Sequence, residues 1–314
     1  MPKVSVVIVC MNNLNNLYPC VESVMEQNRV SMEIIVVCYL FSKENLAKVK
    51  ADFPSVSFIE SNETRGFSEN NNLALRHIHG KFCLILNDDT EMRMPVIDDL
   101  VSTMESLPHK VAVVSPKFVN EDGSLQSNGR PPYPLYSYFF HYFGLKVGSK
   151  WEKLYTNRAG VYKSYNLSGA CFLIKTDIFR SLNWFDERYF FCPEDIALST
   201  ILNNIGYDCY VNADAKIIHK GARSSSSIIQ VAIAPAKERG TRIFYCESSV
   251  LKNIFFIFMS WFIHISYVLF WFVKYRMGGD LSSKIKCRCH FNIVLSIASR
   301  KTPKDVFIDF YSKI

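Results

Sequence analysis

The sequence predicts a doubly wound α/β fold: a mostly parallel sheet with helices on both faces, followed by an apolar and basic helical extension. Three observations predict it. Apolar runs recur at 4–10 (VSVVIVC, rich in β-branched residues), 33–38 (EIIVVC) and 81–86 (KFCLIL), and runs without polar alternation are those of strands buried on both faces of a parallel sheet. Stretches of helical apolar spacing separate them and are long enough for right-handed crossovers. Finally, 254–273 is twenty residues without a formal charge, and a basic tail follows it.

The elements follow in order from local pattern. After the first strand, 12–16 is a polar turn, and 17–27 is helical with Leu17, Val21, Val24 and Met25 on one face. The second strand, 33–38, leads to a helix over 43–52 and a short strand over 56–60. A helix over 68–79 precedes the strand 81–86, which runs into Asn87-Asp88-Asp89. One more strand is expected at 111–114. The stretch 131–143 (PPYPLYSYFFHYF) reads either as a loop packed by its own rings or as a loop contacting an acceptor or a membrane. Beyond it are a strand within 170–175, a helix over 177–182 with Asp177 as a favourable N-terminal charge, a helix over 194–205, and strands at 209–211 and 216–218.

Composition narrows the class. Hydrophobic residues are 49% of 314, which excludes a disordered chain, and a single apolar run of spanning length excludes a polytopic membrane protein. The net charge of +7 is unevenly placed: from Lys274 onward nine bases face three acids, while the rest holds 27 bases and 26 acids. A nearly neutral body argues against nucleic acid as a partner, and the basic tail calls for a local anionic partner. Most of the ten cysteines lie in apolar runs, no CxxC pair occurs, and Met1-Pro2-Lys3 leads directly into a strand without a signal peptide. A reducing, cytoplasmic compartment is therefore expected.

The run 254–273 could just cross a bilayer core of roughly 30 Å. Yet the body before it and the basic tail after it are both expected on the cytoplasmic side, which one crossing does not allow. A helix lying in the interface does allow it, and Trp261 and Trp271 suit that placement. A true span and a core or dimer helix are the alternatives.

Three segments carry chemistry. Asn87-Asp88-Asp89-Thr90 follows a buried strand, where open α/β sheets gather ligands. Adjacent acids there fit a divalent cation bridging a diphosphate, and equally a capping pair on a turn. Glu194-Asp195 opens a helix after Tyr189-Phe190-Phe191, as a cap or as a general base walled by aromatics. His219 ends a strand, as a structural residue or a ligand.

The order of these pieces resembles the inverting GT-A glycosyltransferases of family 2, with most likeness to the bacterial rhamnosyltransferase-like branch acting on surface polysaccharides. The resemblance runs from Val4 to about Ser224 through VSVVIVCMNN with Asn12, Glu22-Ser23-Val24 with Gln27, Gly66-Phe67-Ser68-Glu69-Asn70-Asn71-Asn72, Leu86–Thr90, Ser168-Gly169-Ala170, Phe185–Phe190, Glu194-Asp195, and His219 with Gly221 and Ser224. It implies a GT-A, Rossmann-like catalytic domain over 1–230, with a nucleotide-sugar half (1–110) and an acceptor half (111–230), and a membrane-associating helical region over 231–314. Asn12, Cys38, Arg65, Gly66, Asn72, Asn87 and Asp88 would contact the nucleotide-diphosphate sugar. Asp89 and His219 would hold Mn²⁺ or Mg²⁺, with Asn87 and Asp89 as the formal pair of the metal motif. Gly169, Ala170 and Phe191 would contact a glycan acceptor carried on a lipid. Of the catalytic pair Glu194 and Asp195, Asp195 would take the proton from the acceptor hydroxyl.

The expected place of work is the cytoplasmic face of the plasma membrane, held peripherally or monotopically on its anionic surface. Cys38-Tyr39 departs from the family pattern, which has Asp-Asn or Asp-Asp after the second strand; a thiol does not replace a carboxylate acceptor. That departure keeps open an alternative, a catalytically degraded scaffold subunit. The first turn lacks the glycines of a dinucleotide fingerprint and no GxSxG elbow occurs, so oxidoreductase and serine hydrolase chemistry are unsupported.

Overall fold

The computed structural model describes residues 1–143, 154–221 and 227–314. Ala222, Arg223 and Ser224, part of the closing histidine segment, lie outside them. The chain forms two compact units: Met1–Tyr133, Gly148–Asp186 and Glu194–Ser224 in the first, Pro134–Val147, Glu187–Pro193 and Ser225–Ile314 in the second. The second unit thus takes in Pro134–Val147, Glu187–Pro193 and the residues from Ser225 to 230 from within the stretch expected as the acceptor half.

The elements run β1 (Val4–Met11), α1 (Leu14–Gln27), β2 (Met32–Tyr39), α2 (Lys43–Asp52), β3 (Ser57–Ser61), α3 (Phe67–Leu75), β4 (Phe82–Asn87), β5 (Thr90–Met92), α4 (Val96–Ser106) and β6 (Val111–Val119). After α5 (Leu135–Tyr142), part of the second unit, come β7 (Val161–Ser164), β8 (Cys171–Lys175), α6 (Thr176–Ser181), α7 (Glu194–Asn204) and β9 (Asp208–His219).

One mixed sheet has the order β3-β2-β1-β4-β8-β6-β9-β5, with β7 also on β9. β1 to β4 pair in parallel, as do β6 and β9. β8 runs against both β4 and β6, and β5 and β7 run against β9. The two strands expected at 209–211 and 216–218 are one strand, β9. Its register to β6 shifts from Pro116↔Asn212 to Lys117↔Lys216, and the Asn212 side chain accepts from the amides of Asp214 and Ala215. That bulge bends the strand without ending it.

Strand parity divides the core. Val4, Val6, Ile8 and Cys10 of β1, Ile34, Val36 and Cys38 of β2, and Phe82, Leu84 and Leu86 of β4 pack on α1 and α4. Their neighbours Val7, Ile35, Val37, Cys83 and Ile85 pack on α3, α6 and α7. Both faces being covered explains the uninterrupted apolar runs and leaves the loops at the strand ends as the places where ligands gather in such sheets.

The second unit is helical: α5, then α8 (Gln230–Cys246), α9 (Val250–Gly278), α10 (Leu281–Ser296) and α11 (Pro303–Tyr311). The proline- and aromatic-rich stretch is therefore not a loop throughout. Pro134 stands at the N-cap and no breaker follows, so Leu135–Tyr142 coils, and Phe139 packs on Phe256 at 5.1 Å. Of the 29 residues of α9 only Phe256, Ser260, Ile263 and His264 are buried, while Phe255, Phe258, Phe262, Ile265, Leu269 and Phe272 are exposed at alternating spacings of three and four. Among the described residues α9 is the one helix long and apolar enough to cross a membrane.

Beneath α9 lies a buried polar cluster. Ser260 Oγ donates to Glu238 Oε1 at 2.8 Å, Tyr138 donates to the same carboxylate, and His264 and His290 share a hydrogen bond of 2.8 Å between their Nδ1 atoms. Burial, and then the neighbouring His264, push His290 down to about 4. Between its ordinary value of 6.5 and 4 the unfolded chain binds a proton that the folded ring refuses, so stability falls as pH falls through that window. The melting temperature of the full chain is expected to drop by several degrees between pH 7 and 4.5, with a shallower dependence in His290→Gln; equal slopes would refute the assignment.

Candidate active site

The site grows from the end of β4. Asn87 is half-buried and its amide donates to Ala170 O at 2.9 Å, prolonging the β4–β8 pairing by one residue. Thr90 Oγ1 donates to Asn87 O at 2.7 Å and closes the turn, which holds Asp88 and Asp89 at 7% and 4% exposure. β5 starts at Thr90, directly opposite His219 in the antiparallel pairing with β9. A strand partner 129 positions away thus delivers the imidazole: His219 Nε2 lies 3.5 Å from Asp89 Oδ1, and the Lys220 amide donates to Asp89 O at 2.9 Å.

Electrostatics at this turn are those of two adjacent buried acids. Burial pushes Asp88 up to about 6, the charge of Asp89 adds to the rise, and a hydrogen bond from the Cys10 thiol opposes it. Asp89 Oδ1 is buried and has no hydrogen-bond partner. An orphaned carboxylate oxygen facing an imidazole nitrogen is a donor set that fits Mn²⁺ or Mg²⁺. Among the described residues no three or more His, Cys, Asp or Glu cluster as a cage. The pair therefore suits an ion that takes its remaining ligands from a phosphate group and water.

Asp195 sits in the first turn of α7. Its Oδ2 accepts from the Gly169 amide at 3.1 Å and its Oδ1 from its own neighbour Ile196 at 2.7 Å. A Cβ at residue 169 would stand 3.4 Å from Asp195 Cβ and 3.8 Å from its Oδ2, in van der Waals contact with the side chain. Gly169 and Ala170 join the two halves of the site: one amide holds Asp195, and the next residue's carbonyl holds Asn87. Glu194 is buried at 9% exposure. Phe191 belongs to the second unit, where its ring lies 4.4 Å from Phe190 and 5.2 Å from Phe307.

The residues expected around the donor divide by role. Arg65 is half-buried; its amide donates to Tyr39 Oη, and its guanidinium to Ser61 Oγ and Glu63. Gly66 caps α3, its amide donating to Glu69 at 2.9 Å. Asn12, at φ 47°, accepts from the Ser42 amide and from Asn45 Nδ2, tying the β1 turn to the start of α2. Asn72 spends both ends of its amide on the backbone of Phe185 and braces α3 against that segment. Cys38 differs from a ligand contact: β-strand parity turns it to the core, its exposure is 0%, and burial raises its thiol to about 12. Sequence reasoning missed Gln126, whose Oε1 lies 2.9 Å from His219 Nδ1, because that contact spans 93 positions.

Known proteins match this architecture. A family model for glycosyl transferase family 2 aligns with residues 5–182. The O-antigen biosynthesis protein RfbC of Myxococcus xanthus is 23% identical over 242 residues, 71% of this chain; the chain spans only 18% of that relative's length. Two solved structures share the fold. One is GalNAc-T7 with UDP, GalNAc and Mn²⁺, with TM-score 0.54, 18% identity, and 73% of this chain and 46% of that one covered. The other is the mannosyltransferase PcManGT of Pyrobaculum calidifontis with GDP-Man and Mn²⁺, with TM-score 0.53, 13% identity, and 99% and 80% covered. The family match takes in β1, the Asn87–Asp89 turn and Gly169, more than half of the residues, and the chain belongs to glycosyl transferase family 2.

Proposed function

We propose that the chain is an inverting glycosyltransferase that uses Mn²⁺ or Mg²⁺ to move a sugar from a nucleotide-diphosphate sugar to a glycan acceptor, carried on a lipid, in bacterial surface polysaccharide synthesis. The observation that carries this reading is the placement of Asp195 and the orphaned Asp89 Oδ1 at one strand end, joined through Gly169-Ala170. Asp195 takes the proton of the acceptor hydroxyl, whose oxygen attacks the anomeric carbon opposite the departing nucleoside diphosphate. One bond to carbon forms as the other breaks, so configuration inverts and no covalent enzyme intermediate is needed. Asp89 and His219 would hold the cation, which when bound would supply positive charge to offset that of the diphosphate. The name of the Myxococcus xanthus relative supports a polysaccharide acceptor, and the likeness to the rhamnosyltransferase-like branch makes rhamnose the first donor to test. A panel of nucleotide sugars with Mn²⁺ and EDTA controls, read by transfer and by the anomeric configuration of the product, tests the reading; retained configuration or metal-independent transfer would overturn it.

Membrane association at the cytoplasmic face completes the proposal. The exposed stripe of α9 carries no charge between Phe255 and Phe272. Trp271 at its end lies under Lys274 and Lys286, whose amino groups stand 5.0 and 4.4 Å from the ring. An apolar stripe ending in aromatic and basic residues suits a helix lying in an anionic interface, where each Lys or Arg contributes about 1 kcal/mol. Co-sedimentation with phosphatidylglycerol vesicles is expected for the full chain and is expected to fall at least about tenfold in a Phe258→Glu, Phe262→Glu double variant, whose side chains are solvent-exposed and so leave the fold intact. Unchanged vesicle binding would remove α9 as the anchor.

A further inference from the structure

We propose that a polarised hydrogen-bond relay, Asp122–Ser124–Asn120–Gln126, fixes which nitrogen of His219 carries the proton, with Gln126 as a positioning residue for the cation pair. The inference rests on the reading of Asp89 and His219 as that pair. The relay begins in a tight turn after β6. The Asn120 amide donates to Ser124 O at 2.8 Å, Gly123 N to Asn120 O at 2.9 Å, and Gln126 N to Phe118 O at 2.9 Å. Gly123 supplies the left-handed residue at φ +81°.

The direction of every bond in the relay is forced. The Asp122 carboxylate only accepts, so Ser124 Oγ donates to it, at 2.6 Å. That uses the hydroxyl's single proton, and Ser124 Oγ then accepts from Asn120 Nδ2 at 2.8 Å. Asn120 is thereby turned with Oδ1 toward Gln126, whose Nε2 donates to it at 2.6 Å. A second constraint agrees independently: the same Nε2 lies 2.6 Å from the main-chain oxygen of His219, which also only accepts. Both constraints place Gln126 Oε1 toward the ring, 2.9 Å from Nδ1. An amide oxygen facing Nδ1 requires Nδ1–H, and a neutral ring then presents its lone pair at Nε2.

That lone pair points toward the unpartnered Asp89 Oδ1 at 3.5 Å. The other tautomer would aim Nε2–H at the carboxylate and close the place a cation needs with an ordinary His–Asp hydrogen bond. Phe118, with its ring 5.6 Å from the imidazole, flanks it on one side. Outer partners that fix a ligating ring in this way are typically worth about 10–100-fold in metal affinity.

The test uses the full chain with ¹⁵N-labelled histidine. In long-range ¹H–¹⁵N spectra at pH 8, the His219 signal, identified by its loss in His219→Gln, is expected as the Nδ1–H tautomer. Gln126→Leu, and more weakly Asp122→Ala at its exposed turn, are expected to shift it toward Nε2–H. Mn²⁺ affinity, read by electron paramagnetic resonance with UDP or GDP present, is expected to fall about 10–100-fold in Gln126→Leu. An Nε2–H ring in the wild type, or an Nδ1–H ring kept in both variants, overturns the relay. If the wild type binds no Mn²⁺ with either nucleotide, the cation reading falls, and the tautomer spectra still decide the relay.

Discussion

Asp195→Asn is expected to lower the turnover of sugar transfer by about 10²–10⁴-fold while the donor KM changes little. The substitution preserves shape. The amide oxygen can keep the bond from the Gly169 amide, now 3.1 Å from Oδ2, but an NH₂ group then stands where Oδ1 accepts from Ile196 N at 2.7 Å, so one local bond at the start of α7 is given up. Basicity is removed together with that one local bond, so the acceptor hydroxyl must lose its proton to water. The loss should fall on kcat because Asp195 has no place in the cation pair, which lies at the other end of the Gly169-Ala170 bridge. Initial rates against donor concentration, with the melting temperature as a control for folding, check this. An undiminished kcat would show that another group takes the proton. A wild type as inert as Asp195→Asn with a verified donor and acceptor would favour a scaffold without catalysis.

Much of the first unit was legible because burial on both faces writes itself into sequence. The runs 4–10, 33–38 and 81–86 are β1, β2 and β4 almost to the residue. The Asn87–Asp89 turn was legible from its position at a strand end, and Gly169-Ala170 only through the family resemblance. What the sequence hid was set by partners far along the chain. β5 and β7 are three and four residues long and carry polar side chains, so no periodicity marks them, and they exist through pairing with β9. α5 hid behind the prolines that precede it. Cys38 illustrates a different limit: a motif position predicts which residue type is expected, whereas strand parity decides where the side chain goes. Gln126 had no local signal at all, since its meaning comes from a histidine on another strand and from the polarity of a turn that looks like any other Asp-Gly-Ser turn.

Asp89→Asn is expected to move activity and stability in opposite directions. In the wild type, Asp89 is 4% exposed with a carboxylate oxygen that has no partner, beside an Asp88 whose own carboxyl burial and the charge of Asp89 hold up at about 6. An unsatisfied buried acceptor costs about 1–3 kcal/mol. An amide at residue 89 carries N–H groups, and one of them can donate to the His219 Nε2 lone pair that the carboxylate oxygen faces at 3.5 Å. The same change removes a charge from next to Asp88. Without cation, the variant should therefore melt a few degrees higher than the wild type. The cost appears in function: one of the two cation ligands is lost, so Mn²⁺ with UDP or GDP should no longer raise the melting temperature, and transfer should fall by about 10³-fold or more. A residue that merely capped the turn behaves otherwise, because losing its charge would lower stability and activity together. Melting curves with and without Mn²⁺, beside transfer rates, separate the two cases. Lower stability in the variant would show that the strain at Asp89 belongs to the turn and has no bearing on a cation. The opposite signs are what the proposed cation site requires: on that reading the orphaned oxygen would destabilise the chain until a substrate complex completed it.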